Sequence, residues 1–180
     1  GTSAYFRLST RPIDQALAGV PDDAGRREER RRDVLGGGYL LRRAEGPPAV
    51  TLVGAGVVMP EVLDAADTLA GDGLACDVVC LTSADLVFRA LRARQGFGDA
   101  PTGVLDAILP PNRAAPIVAV LDGHPHTLAF LGAVNTTPVA TLGVADFGQV
   151  GDVGDLYRHF GIDAATITGA AWDLVDAAGG

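Results

Sequence analysis

The sequence predicts an α/β fold built around an open, largely parallel sheet. Two observations carry that expectation. Short apolar runs at residues 50–53, 76–81, 116–121 and 139–142 have strand length and alternate with segments whose apolar residues recur at helical spacing. The connections are rich in small residues, with 24 glycines and 11 prolines among 180 residues, which suits tight strand-to-helix turns. A chain of this length buries roughly 70% of its unfolded surface and needs no disulfide or metal to fold.

The elements follow in order. The chain begins in an alternating stretch, Ala4-Tyr5-Phe6-Arg7-Leu8-Ser9, read as the last strand of a preceding unit. Residues 22–33 set Arg26, Arg27, Arg30, Arg31 and Arg32 against Asp22, Asp23, Glu28, Glu29 and Asp33. That balance describes a solvated linker helix or coil, and Gly36-Gly37-Gly38 punctuates its end. Residues 1–36 are therefore expected to add little to the folding of the rest. A strand over 39–43 and a Pro47-Pro48 turn come next, then the strand over 50–53, ending in Gly54-Ala55-Gly56. A helix is expected from about Pro60, a favourable residue near a helix start, to Ala70, with Gly71 and Gly73 closing it. The strand at 76–81 and a helix over 84–94 follow. The Gly/Pro-rich residues 95–115 read as a surface excursion around a short apolar core. The strand at 116–121 runs into Asp122-Gly123-His124, and a short apolar segment at 128–131 precedes the strand at 139–142. Asp152 is expected to cap a short helix reaching Phe160. Asp163 is expected to cap a last helix whose Ile167, Ala171, Leu174 and Val175 share a stripe.

Composition excludes several functions. All 14 basic residues are Arg, so the chain can form neither a phosphate-gripping P-loop lysine nor a Schiff base. A net charge of −8 argues against nucleic-acid binding. The longest apolar runs fall far short of the ~20 residues a membrane span needs, and no secretory leader pattern is visible. A soluble, cytoplasmic protein is the expectation. Cys76 and Cys80 share one face of a strand but stand about 13 Å apart. A disulfide needs roughly 7 Å, so two reduced, buried thiols are expected.

No motif assembles a catalytic constellation. Gly54-Ala55-Gly56 lacks the third glycine of a dinucleotide fingerprint, Met59 standing in its place, and reads as a tight turn. Asp122-Gly123-His124-Pro125-His126 gathers metal-compatible types without a fourth ligand at a recognisable spacing. His159 fits the C-terminal end of a helix, where positive charge is favoured. Ser83 has no assignable base, and no Gly-x-Ser-x-Gly elbow occurs. If the chain binds a ligand, open α/β sheets place it at the carboxyl ends of their strands. Ser83, Asp122, His124 and Asp146 are the residues expected to line such a site, and the two carboxylates make a bare anion a poor occupant. A free-standing ligand-binding α/β module is one reading of this pattern.

Several stretches taken together carry a resemblance. Gly37-Gly38-Tyr39-Leu40-Leu41 is followed by Val50-Thr51-Leu52-Val53-Gly54-Ala55-Gly56 and by Cys76-Asp77-Val78-Val79-Cys80-Leu81-Thr82-Ser83-Ala84-Asp85. Later, Val144-Ala145-Asp146-Phe147-Gly148 precedes Leu156-Tyr157-Arg158-His159-Phe160-Gly161-Ile162-Asp163. Over about residues 37 to 178 this order resembles the C-terminal domain of transketolase-type thiamine diphosphate enzymes, with the homodimeric E1 component of pyruvate dehydrogenase as the nearest relative. Tyr5 to Pro12 is similar to the end of their preceding pyrimidine-binding domain. The Asp-Gly-Phe-Gly of E1 chains is here Ala145-Asp146-Phe147-Gly148, lacking the first glycine, and Thr10 separates Leu8-Ser9 from Arg11 where transketolases have a Leu-Ser-Arg motif.

The resemblance implies a three-layer, mostly parallel but mixed sheet with helices on both faces. It implies residues 1–18 as a remnant of the preceding domain, 19–36 as a charged linker and 37–180 as the C-terminal domain. It also implies a non-catalytic role in subunit packing, with a regulatory ligand site at the strand ends. Thiamine diphosphate and magnesium would belong to the parent enzyme and not to this chain. Partners would be the preceding domains, a second subunit in a homodimer and, for a dehydrogenase, the E2 acyltransferase.

Overall fold

A computed structural model of the chain describes residues 12–179, so the strand expected near residues 4–9 lies outside the described residues. Five strands form one sheet: β1 (Gly38–Arg42), β2 (Val50–Ala55), β3 (Cys76–Leu81), β4 (Ile117–Leu121) and β5 (Val139–Leu142). Their order is β1-β3-β2-β4-β5. All neighbours are parallel except β1, which runs antiparallel to β3. The seven α-helices are α1 (Ala24–Gly36), α2 (Met59–Gly71), α3 (Ala84–Arg94), α4 (Gly103–Ile108), α5 (Gly132–Asn135), α6 (Val153–His159) and α7 (Ala164–Gly179). The expected mixed, mostly parallel sheet with helices on both faces is the observed architecture.

Strand alternation creates two cores. Leu52, Val78, Val118 and Val120 face α2 and α7, whereas Val53, Val79, Ile117 and Ala119 face α3, α4 and the segment after β4. Most of these side chains are wholly buried, and each such burial stabilises by about 1.5–3 kcal/mol. Helices α2 and α7 pack on one another through Ala66, Ile167 and Ala171. The Glu61 carboxylate accepts from the Ala164 amide at 3.3 Å and fixes the start of α7.

Caps fall where side-chain chemistry places them. Ser83 accepts from the Leu86 amide at the head of α3, and Asp152 from Gly154 at the head of α6. Residues 95–115 differ from the surface excursion expected. They hold α4, whose Leu105 and Ile108 are buried in the core, and a 3-10 turn, Pro111–Arg113. From that turn Arg113 reaches inward to clasp Asp77 on β3 through Nε and Nη2 at 2.8 and 2.7 Å. Asp77 also accepts from the Ala44 amide at 2.8 Å, and Arg113 donates to the Ala44 and Gly46 carbonyls. The pair is almost fully enclosed and ties together the loop after β1, the strand β3 and the turn before β4.

The charged segment is a helix, as its composition suggested, and α1 buries none of its own residues. It is nevertheless fastened to the sheet. Arg30 lies over the Tyr39 ring at 4.1 Å and donates to the Ala18 carbonyl, and the Thr82 hydroxyl donates to the Val34 carbonyl at 2.6 Å. Ahead of it, the 3-10 turn Gln15–Ala18 packs Leu17 against the core beneath α2. The helix lies along the edge strand β1, the arrangement by which sheets shield an open edge.

Candidate functional site

The sheet order reverses between β2 and β4: the chain leaves β2 for β3 on one side, then returns to β4 on the other. The crevice outside the carboxyl ends of those two strands is where open sheets hold ligands. A cavity of about 280 Å³ occupies it. Its walls come from Val57 after β2, Val144 after β5, and Leu156, Tyr157 and Phe160 around α6. Asp122, immediately after β4, and Gln149 add the polar atoms. The two neighbouring turns are locked together. The Val144 amide donates to the Gly123 carbonyl at 2.8 Å, and a Cβ on Gly143 would lie 2.4 Å from that same oxygen. Gly143 thus permits the close approach that sets the crevice's width.

Of the four residues expected to line a strand-end site, Asp122 does so. Ser83 is spent at the head of α3, its amide donating to the Gly37 carbonyl and its hydroxyl capping the helix. The His124 Nδ1 accepts from the His126 amide at 3.3 Å and so caps the 3-10 helix Pro125–Leu131. Asp146 is exposed in the loop after β5, outside the cavity. The composition of the walls, above all Tyr157 and Gln149, was not legible from motifs, because α6 folds back over the strand ends from a distance in sequence.

Two further concavities flank the sheet. One, about 400 Å³, lies at the carboxyl end beside α3 and is lined by Asp85, Phe88, His126 and Phe130. Its two phenyl rings meet edge to face at 5.3 Å. The other, also about 400 Å³, lies at the opposite end and is lined by Arg42, Arg43, Glu45, Asp67 and Cys76. The antiparallel course of β1 carries Arg42, and Arg43 just after it, to that end, and Arg42 pairs with Asp67. Burial pushes the Cys76 and Cys80 thiols up from their ordinary pKa, and both cysteines are free. Tyr39, buried beside Cys80, is pushed up to about 12, chiefly by desolvation.

The switch-point crevice fits neither thiamine diphosphate nor its metal. Among the described residues, no three His, Cys, Asp or Glu side chains come together as a metal-binding set. The switch-point crevice presents one carboxylate and no cation, the wrong sign for a pyrophosphate. No helix of the described residues is long and apolar enough to cross a membrane.

Comparison with known proteins agrees with the architecture. Residues 37–163 match the family described as the transketolase-like TK C-terminal domain. The plasmid-encoded transketolase of Cupriavidus necator is 31% identical over 162 residues, which are 90% of this chain and 21% of that protein. Transketolase 2 of Escherichia coli is 26% identical over 148 residues, 82% of this chain and 20% of that one. The chain thus spans about one fifth of the length of the curated relatives it matches. Among solved structures, transketolase from Campylobacter jejuni superposes with a TM-score of 0.57 at 21% identity, over 77% of this chain and 18% of that one. A split-gene transketolase, described as an inactive β4 tetramer, gives 0.59 at 21% identity, over 78% of this chain and 43% of that one. With the βαβ order, the antiparallel first strand and the family match all falling on the same residues, the chain belongs to the transketolase-like C-terminal domain family.

Proposed function

We propose that this chain is the C-terminal, non-catalytic domain of a thiamine diphosphate-dependent transketolase. The observation that carries the reading is the family match over residues 37–163 in a chain one fifth as long as its transketolase relatives. The parent enzyme holds thiamine diphosphate and magnesium in its preceding domains and works in the cytoplasm as a homodimer. Residues 1–18 are the end of the preceding pyrimidine-binding domain, residues 19–36 the linker and residues 37–180 the domain itself. The domain serves packing within the parent. The ligand site expected at the strand ends reduces to the switch-point crevice, with Asp122 as its charged group. Apolar walls and a lone carboxylate suit a neutral or cationic guest.

A pyruvate dehydrogenase E1 parent, with an E2 acyltransferase partner, is the finer reading that the sequence resemblance suggested. The relatives named above are transketolases. The discriminating experiment expresses the gene with its upstream coding sequence and assays the product with thiamine diphosphate and magnesium. Ketol transfer between sugar phosphates is expected. Decarboxylation of pyruvate without ketol transfer would replace this reading with the E1 one.

A further inference from the structure

The two edges of the sheet are built differently. The β1 edge carries several of the devices by which sheets avoid pairing with another chain. Helix α1 lies along it, its register shifts between Leu40 and Arg42, and a charge stands at Arg42. At the opposite edge β5 keeps a regular register with β4 and carries no charge. The register also says which of its groups face outward. The Ile117 amide donates to the Pro138 carbonyl at 2.9 Å, and Ile117 lies opposite Val139. In a parallel ladder this turns the main-chain groups of residues 138, 140 and 142 towards β4, and those of Val139 and Thr141 away from it. Among the described residues, nothing bonds to the amides or carbonyls of Val139 and Thr141.

The surroundings of this edge are as unusual as the edge itself. Charged residues make up 20% of the chain. Residues 127–145, which hold most of the 3-10 helix Pro125–Leu131, all of α5 and β5 and the turn after them, contain no Asp, Glu, Arg or His. Helix α7, which packs on β5, has none before Asp173.

Two observations identify what pairs there. First, the outward groups are self-complementary. When β5 meets a copy of itself running antiparallel, with a two-fold axis at Ala140, Val139 of one copy stands opposite Thr141 of the other. Each of the two Val139–Thr141 pairs then exchanges both of its hydrogen bonds. One patch serves both copies, as a two-fold interface requires. The β-branched side chains of each pair meet across the seam, and Ala140 brings little bulk to the axis. Second, each copy carries a net charge of −8, so two copies repel one another over most of their surface. The charge-free stretch around β5 is where that repulsion is weakest.

We infer that two copies of this chain associate through β5, joining their sheets into one continuous sheet across a two-fold axis at Ala140. The inference does not rest on the proposed function, since it uses only this chain's own edge. A seam of four residues is far shorter than a standard interface, so the dimer is weak.

Sedimentation equilibrium and hydrogen exchange of the full chain, from about 1 μM to about 1 mM, test it. The mass should rise towards that of a dimer, and the Val139 and Thr141 amides should exchange at least about tenfold more slowly at the upper concentration. Thr141→Lys sets a charge on each side of the seam and should hold the chain monomeric throughout, with its circular dichroism unchanged. Thr141→Pro removes an amide that faces away from β4 and should do the same. Phe97→Ser, at an exposed ring after α3, should leave association as it was. A chain that stays monomeric while both amides exchange freely would overturn the inference. So would association that survives both Thr141 variants or is lost with Phe97→Ser. Protection of the two amides that persists on dilution to monomer would also overturn it, by showing another part of the chain on the edge. Should neither Thr141 variant fold, the concentration dependence of exchange in the unaltered chain decides alone.

Discussion

Gly54 shows how closely strand and helix meet on this sheet. A Cβ there would lie 2.4 Å from the Met59 sulfur and 3.0 Å from a Val62 methyl. The thioether can swing aside, but the β-branched valine in α2 cannot. Gly54→Ala is therefore expected to destabilise the chain by about 1–3 kcal/mol through overpacking. That corresponds to roughly 2–12 °C in the thermal midpoint, and an unchanged melt would show that α2 can back away. Tyr39 sets a limit of another kind. Its hydroxyl is pushed up to about 12 in the folded chain, from an ordinary value of 10.0, and burial raises both cysteines as well. Folded-state values above the unfolded ones mean that the folded chain holds the extra protons, so stability is complete at neutral pH and is lost as the pH climbs from about 9 towards 12. Melting temperature should be level between pH 7 and about 8.5 and then fall. Tyr39→Phe should flatten the part of that fall above pH 10. A profile that rises with pH would contradict the desolvation argument.

At the level of elements, the segment before Gly37 behaves differently from what its composition suggests. Five arginines and three acids leave α1 little apolar surface, and none of its residues is buried. Yet Leu17, half-buried, packs against the core, Arg30 covers Tyr39, and α1 shields the β1 edge. Deleting residues 1–36 uncovers all three. The expected cost is about 1–2 kcal/mol, counting the partial burial of Leu17 alone, or roughly 2–8 °C. A shift below about 2 °C would restore the simpler expectation that this segment is a passive linker. The same contrast explains what could be read in advance. β3, α3 and β5 were legible to the residue because each is a single apolar run between turn residues, with Ser83 supplying a cap. α4 was hidden because six residues flanked by Gly and Pro carry too short a helical stripe to register. The Asp77–Arg113 clasp was hidden because it joins residues 36 apart in sequence, and an isolated Asp inside an apolar strand names no partner. The same limit applies to the candidate site. Asp122 could be placed because strand ends can be read, whereas the walls contributed by α6 depend on how that helix folds back. Arg42 and Arg43, at the end of β1, escaped because the sequence did not show that this strand runs opposite to the rest.

As a whole, the molecule is a sheet with two complete cores and one edge left open among the described residues. Many of its described polar groups serve as caps, in the buried Asp77–Arg113 pair or in surface pairs, and the switch-point crevice gathers too little charge for pyrophosphate chemistry. Under the proposed function, such a chain adds surface and shape to a larger enzyme whose reaction belongs to its other domains. Calorimetric titration of the isolated chain with thiamine diphosphate in the presence of magnesium tests that claim most directly. No saturable heat is expected, because among the described residues no metal-binding set is assembled and the switch-point crevice lacks a cation for the pyrophosphate. Saturable binding at micromolar concentration would contradict the account and place a cofactor site on this domain.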